Sequence, residues 1–167
     1  MFDRLGLLLA CLTLLSVLGG CGNSPSARRG LASNDALAVP SRISLGQADD
    51  ITIHAVGLVG TPYRYGGNTP DSGFDCSGLI GYIYQKRAGL APPRTVARMQ
   101  YWGQAVLSDN IRSGDLVLFA QSNVVTHAGI YVGAGRFVHA PSTGGVVRLD
   151  KLNSKYWSSQ QVTFRRP

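Results

Sequence analysis

An α+β domain, a small antiparallel sheet with helices packed on one side, is what this sequence predicts. Three observations carry that reading. Apolar residues recur at helical spacing after Cys76, three short β-rich runs follow between Asp115 and Ala140, and a Gly-Ala-Gly turn joins the last two. With 167 residues, 44% of them hydrophobic and 15% charged, one globular domain is expected.

From the amino terminus, an apolar run from Leu5 to Leu18 is too short for a membrane span of about 20 residues and has the size of a signal peptide. It ends in Leu18, Gly19, Gly20 and Cys21, which resembles a bacterial lipobox. On that resemblance residues 1–20 are a removable signal and Cys21 is a lipid anchor, holding the protein to a membrane without spanning it. Residues 21–47, rich in Ser, Ala, Asn, Gly and Pro, read as a flexible tether, and the folded domain is placed at 48–167.

Asp49 or Asp50 is expected to cap a first helix running through Ile51, Ala55, Val56 and Val59 to a stop at Gly60. His54 on it reads as a packed or surface residue. The segment P-Y-R-Y-G-G (62–67) and a loop lead to F-D-C-S-G (74–78). There Cys76 opens a second helix, with Leu79, Ile80, Ile83 and Tyr84 on its apolar face and Gly89 as its stop. Strands are predicted over Asp115–Phe119, His127–Val132 and Arg136–Ala140, with others over Val146–Leu149 and Val162–Arg165. Asp115 reads as a turn residue beginning its strand, and Tyr65 as a packing residue.

Charge and residue types exclude several functions. Sixteen basic residues against nine acidic ones give a net charge of +7, but they are scattered and form no run that would grip nucleic acid; anionic membranes and acidic wall polymers are the expected neighbours. All nine acids are Asp, so the zinc motif H-E-x-x-H is impossible and a glycosidase would need two Asp residues. Of three cysteines, Cys11 leaves with the signal and Cys21 is lipidated. Cys76 stays unpaired in an oxidising compartment, which points to chemistry at its sulfur.

A helix N-terminus favours the thiolate, so Cys76 is a candidate nucleophile and is expected to titrate below about 8.5. Nucleophilic cysteine needs a base, and the base a group to orient it. If the hairpin loop is Gly133–Gly135, with Ala134 as pivot, His139 falls opposite Gly129 and His127 becomes its diagonal neighbour on the same face. Gly129 then leaves room for two imidazoles. A two-residue loop would put the histidines on opposite faces.

The segments P-Y-R-Y-G-G, F-D-C-S-G-L, S-G-D-L-V-L-F, T-H-A-G-I-Y-V-G and F-V-H-A resemble, in order, the NlpC/P60 cell-wall peptidases. The resemblance covers nearly all of 48–167 and is nearest to the lipoprotein murein endopeptidases of Gram-negative bacteria. It implies a papain-like core and cleavage of peptidoglycan stem-peptide bonds involving D-amino acids or diaminopimelate. Carried over by position, Cys76 matches the nucleophile, His127 the base, His139 the orienting residue, and Tyr63 the tyrosine beside the oxyanion. Asp75 and Ser77 match positions that hold the free amino group of a stem peptide, while helix capping explains Asp75 equally well.

The chemistry implied is a thioester acyl-enzyme without metal or cofactor. Expected partners are peptidoglycan stem peptides and a membrane, not nucleic acid, and a monomer is expected. Gly22 after the lipidated residue, where an Asp would retain the protein in the inner membrane, places it at the outer membrane facing the periplasm. Two alternatives stay open: a CHAP-like amidase or acyltransferase on a related scaffold, and a wall-binding lipoprotein without catalysis.

Overall fold

A computed structural model describes residues 41–167 of the chain. The expected signal, the Cys21 anchor and most of the tether lie outside these residues. Packed structure begins earlier than the boundary at 48. Ile43 is buried, and the Ser41 hydroxyl donates to the carbonyl of Pro167 at 2.8 Å.

Helix α1 spans Leu45–Gly57, and its cap is Ser44, not Asp49 or Asp50. A capping box explains the earlier start: the Ser44 hydroxyl accepts from the Gln47 backbone, and the Gln47 side chain accepts from the Ser44 backbone at 3.0 Å. Ile51 and Ala55 are buried as expected, whereas Val56 is exposed within the helix and Val59 is exposed beyond its end, before the chain turns at Gly60. His54 accepts from Arg87 at 2.9 Å and stacks on Tyr82.

Two short strands, β1 (Asn68–Thr69) and β2 (Gly73–Phe74), pair antiparallel and deliver the chain to helix α2 (Cys76–Ala88). Helix α2 ends at Gly89 with φ of 66°, as the sequence predicts, and buries Leu79, Ile80, Ile83 and Tyr84. The short helix α3 covers Val96–Met99.

The main sheet has six strands: β3 (Gln104–Val106), β4 (Leu116–Gln121), β5 (Val124–Gly133), β6 (Arg136–His139), β7 (Arg148–Lys151) and β8 (Gln161–Arg166). Their spatial order is β3-β8-β4-β5-β6-β7, antiparallel at every pairing. Strand β3 has no counterpart in the sequence reading. Strand β7 lies two residues later than the predicted 146–149, which brings Asp150 into the sheet.

Alternation along the strands gives two cores. Leu116, Leu118, Ala128, Ile130 and Val138 pack with α1 and α2, while Val117, Phe119, Phe137 and Trp157 form a second cluster. Asp115 is more than a turn residue: it is 1% exposed and takes 2.8 and 2.9 Å hydrogen bonds from the Arg166 guanidinium. Burial of the carboxylate is offset by that pair, which ties the start of β4 to the carboxyl end of the chain.

Candidate active site

Cys76 is the first residue of α2, and two local devices hold it. Asp75 is the N-cap: one oxygen accepts from the Gly78 backbone at 2.6 Å and the Ser77 hydroxyl at 2.8 Å, and the other accepts from the Gly66 backbone at 2.9 Å. A side chain at Gly78 would run into the Gly67 carbonyl, so glycine there lets the helix start close on the 62–67 loop. The family-matched roles of Asp75 and Ser77 in gripping an amino group remain separate from this capping, which the geometry shows by itself.

Tyr63, Asp75, Cys76, Ser77 and Arg94 share a hollow of about 340 Å³. Burial raises the Tyr63 hydroxyl above its ordinary value, with charge at Cys76 adding to it, so the phenol stays a hydrogen-bond donor at neutral pH. Tyr65 does not pack: it is 91% exposed on the rim.

The acidified thiol is not what the surroundings of Cys76 produce. Burial pushes the thiol up, the neighbouring Asp75 charge pushes the same way, and the backbone N–H groups of Ser77 and Cys76 only partly oppose them. The helix start acts as foreseen, but desolvation outweighs it.

The histidines meet through a register that the sequence reading reached by a different loop. Gly133 pairs with Arg136, so Ala134 and Gly135 form a two-residue turn, with φ of 50° and 67°. A bulge between Tyr131 and Gly133 then inserts one residue and restores the parity, pairing Tyr131 with Phe137 and Ile130 with Val138. His127 and His139 therefore share a face, and Nε2 of His127 lies 2.9 Å from Nδ1 of His139. A side chain on Gly129 would stand 2.9 Å from the Val138 carbonyl and 3.3 Å from the His139 Cβ, which is why that position is glycine.

His139 is fully buried. Its Nε2 lies 3.1 Å from Oδ2 of Asp150, a carboxylate absent from the sequence reading. Asp150 is the diagonal neighbour of His139 across the next strand pair, since His139 faces Arg148. Trp157 was missed as well. Its indole stacks on His127 at 5.4 Å between ring centres and meets His139 edge-on at 5.1 Å.

Burial lowers His127 to about 3, with His139 and Arg148 adding to the shift, and lowers His139 to about 4 against the opposing pull of Asp150. Both imidazoles are neutral at pH 7, the state a general base requires.

His127 lines a second hollow, about 480 Å³, with Arg148, Tyr156 and Trp157. Cys76 and His127 are thus in neighbouring parts of the fold, since α2 packs on β5, but they share no hydrogen bond and line different hollows. The arrangement unites His127 with His139, and Cys76 with Tyr63, Asp75 and Ser77. Among the described residues no group of three or more His, Cys or Asp side chains is placed to hold a metal.

An α+β domain with a cysteine opening a sheet-packed helix and a histidine pair on the sheet is the class that fold and site define. The NlpC/P60 family model matches residues 60–166, and the chain belongs to that family. Over 110 residues it is 42% identical to the gamma-DL-glutamyl hydrolase of Bacillus subtilis, covering 65% of this chain and 26% of that protein. It is 39% identical over 107 residues to the murein DD-endopeptidase MepS/murein LD-carboxypeptidase of Escherichia coli, covering 64% and 56%. Among solved structures it is similar to an NlpC/P60 family protein from Bacillus cereus, with a TM-score of 0.65 and 32% identity over 71% of this chain and 39% of that one. The matches therefore span between about a quarter and somewhat over half of the relatives' lengths.

Proposed function

We propose that this chain is a peptidoglycan hydrolase, a cysteine endopeptidase that cleaves stem-peptide bonds involving D-amino acids or diaminopimelate. The observation that carries the proposal is the combination, in one NlpC/P60 domain, of Cys76 at the start of α2 with a neutral, oriented His127 on β5. The names of two relatives, a gamma-DL-glutamyl hydrolase and a murein DD-endopeptidase, support the substrate class.

In the mechanism, His127 takes the Cys76 thiol proton as the sulfur attacks the scissile carbonyl carbon. The Tyr63 hydroxyl and the Cys76 backbone N–H stand by the developing oxyanion. His127 then gives its proton to the leaving amine, and the C–N bond breaks to leave a thioester. Water, deprotonated by His127, attacks the thioester; the C–S bond breaks, His127 returns its proton to the sulfur to restore the thiol, and the acid product leaves as a carboxylate after losing its proton to solvent. His139 keeps the His127 ring in place throughout.

Both members of the pair start neutral, because burial raises the thiol and lowers the imidazole. Proton transfer accompanies attack rather than preceding it. The proposal also keeps Cys21 as a lipid anchor, with the domain at the outer membrane facing the periplasm. Labelled fatty acid should enter the wild type and not Cys21→Ser.

Digestion of purified peptidoglycan with the protein and with Cys76→Ala, followed by mass identification of the muropeptides, tests activity and bond together. Release of stem-peptide fragments by the wild type alone is expected. No release, with binding to the wall retained in both, would favour the wall-binding alternative.

A further inference from the structure

We infer that Asp150 is a positioning residue: acting through His139, its carboxylate fixes the tautomers of both histidines and leaves Nδ1 of His127 as the bare nitrogen that receives the Cys76 proton. The role in catalysis rests on the peptidase reading above; the tautomers themselves do not.

The directions of the hydrogen bonds follow from what each group is able to do. Oδ2 of Asp150 is approached by four nitrogens: Nε1 of Trp157 at 2.7 Å, Nη2 and Nε of Arg148 at 2.8 and 3.1 Å, and Nε2 of His139 at 3.1 Å. Indole and guanidinium nitrogens only donate, so this oxygen is an acceptor. Burial works against the charge on Asp150, but the hydrogen bonds from Trp157, His139 and Arg148 outweigh it and hold the carboxyl below its ordinary value. An ionised carboxylate has no proton to give. At the fourth contact, then, Nε2 of His139 carries the hydrogen.

His139 is neutral at pH 7, because its burial lowers it to about 4, and a neutral imidazole has one N–H. With that hydrogen on Nε2, Nδ1 is a lone pair. The nitrogen facing it at 2.9 Å, Nε2 of His127, must therefore donate. His127 is neutral too, so its Nδ1 has no hydrogen and is free to act as base. During attack the thiol proton goes to Nδ1 while Nε2 keeps its own, and no proton needs to travel along the chain to Asp150.

Without an acceptor at position 150, His139 can place its hydrogen on Nδ1 and donate to His127. That alternative forces the His127 hydrogen onto Nδ1 and closes the base. Trp157 joins the two ends of the arrangement, since the indole that donates to Asp150 also lies flat on His127.

The test is the long-range proton–nitrogen spectrum of the histidine side chains in the 15N-labelled protein at pH 7, read without substrate. Both His127 and His139 are expected as Nε2–H tautomers in the wild type; either one found as Nδ1–H overturns the proposal. In Asp150→Ala, His139 should shift towards Nδ1–H, and kcat on a stem tetrapeptide should fall about tenfold with KM unchanged. In Asp150→Asn, whose carboxamide oxygen accepts from the same donors, the Nε2–H form and most of kcat should return. Unchanged tautomers in a folded Asp150→Ala would overturn the proposal. Should that variant not fold, the wild-type spectrum and the Asp150→Asn spectrum decide. A wild type with the expected tautomers but no action on peptidoglycan would remove the peptidase reading and leave the positioning role of Asp150 on the histidines standing.

Discussion

Around Cys76 the positioning groups are neighbours in sequence, whereas around His127 they arrive from distant parts of the chain. Asp75, Ser77 and Gly78 fix the helix start through hydrogen bonds to the backbone and to each other, and only the 62–67 loop is added from further away. His127 depends on Phe119 of β4, His139 of β6, Asp150 of β7 and Trp157 beyond the sheet. The first region is a cap with one sulfur on it; the second is a network in which each member sets the next. Substitutions near Cys76 should act one by one, and those near His127 should be coupled.

The largest expected effect is at His127, the proposed base. His127→Ala should lower turnover of a defined stem tetrapeptide by on the order of 10⁴-fold, with the circular dichroism of the wild type retained. His139→Ala should lower kcat less, by about 10- to 100-fold, and leave KM nearly unchanged; His139→Gln, able to hydrogen-bond the imidazole, should keep more activity. Steady-state kinetics on the three variants check the order. A His139→Ala enzyme as fast as wild type would mean that the network does not hold His127.

pH separates the two regions next. His127 and His139 titrate at about 3 and 4 in the fold, so kcat/KM should lack an acid limb near 6.5, where a free imidazole titrates. Alkylation of Cys76 by iodoacetamide should instead keep rising beyond pH 8, since burial raises the thiol. Stability follows the histidines. Their folded values lie below the unfolded value of about 6.5, so between the two the unfolded chain binds more protons and stability is lost as pH falls. Unfolding free energies from urea titrations should decline from pH 7 to pH 5, with a slope on the order of 2 kcal/mol per pH unit below about 6, since two histidines contribute.

The smallest effect is at the cap. Asp75→Ala removes the acceptor for the Gly78 and Gly66 backbones and should cost about 1 kcal/mol of stability by urea unfolding. A loss of several kcal/mol would mean that the cysteine region is as coupled as the histidine region.

The same contrast explains what was legible in the sequence. Helix α2, its glycine stop and the place of Cys76 follow from spacing over thirteen residues. The shared face of His127 and His139 was legible from strand parity, though the two-residue turn and the bulge that together produce it were not. Asp150 went unseen because the predicted strand stopped at Leu149, one residue short, and nothing local in L-D-K marks a residue whose partners are eleven positions earlier and seven later. Ser44 as the cap of α1 was hidden behind the stronger-looking pair Asp49 and Asp50. The raised thiol was beyond reach for another reason: it reflects burial by residues far apart in sequence, which outweighs the local pull of the helix start.

The proposed peptidase activity requires these two regions, which share no hydrogen bond, to work as one catalytic unit. A mutant cycle on a defined stem tetrapeptide measures that directly, with wild type, Cys76→Ala, His127→Ala and the double variant assayed for kcat/KM. Both single variants are expected to fall to the same residual rate, and the double variant to fall no further, because removing either half of one machine disables the other. If instead the two losses multiply, or if His127→Ala stays near the wild-type rate, Cys76 and His127 do not act together and the account is wrong.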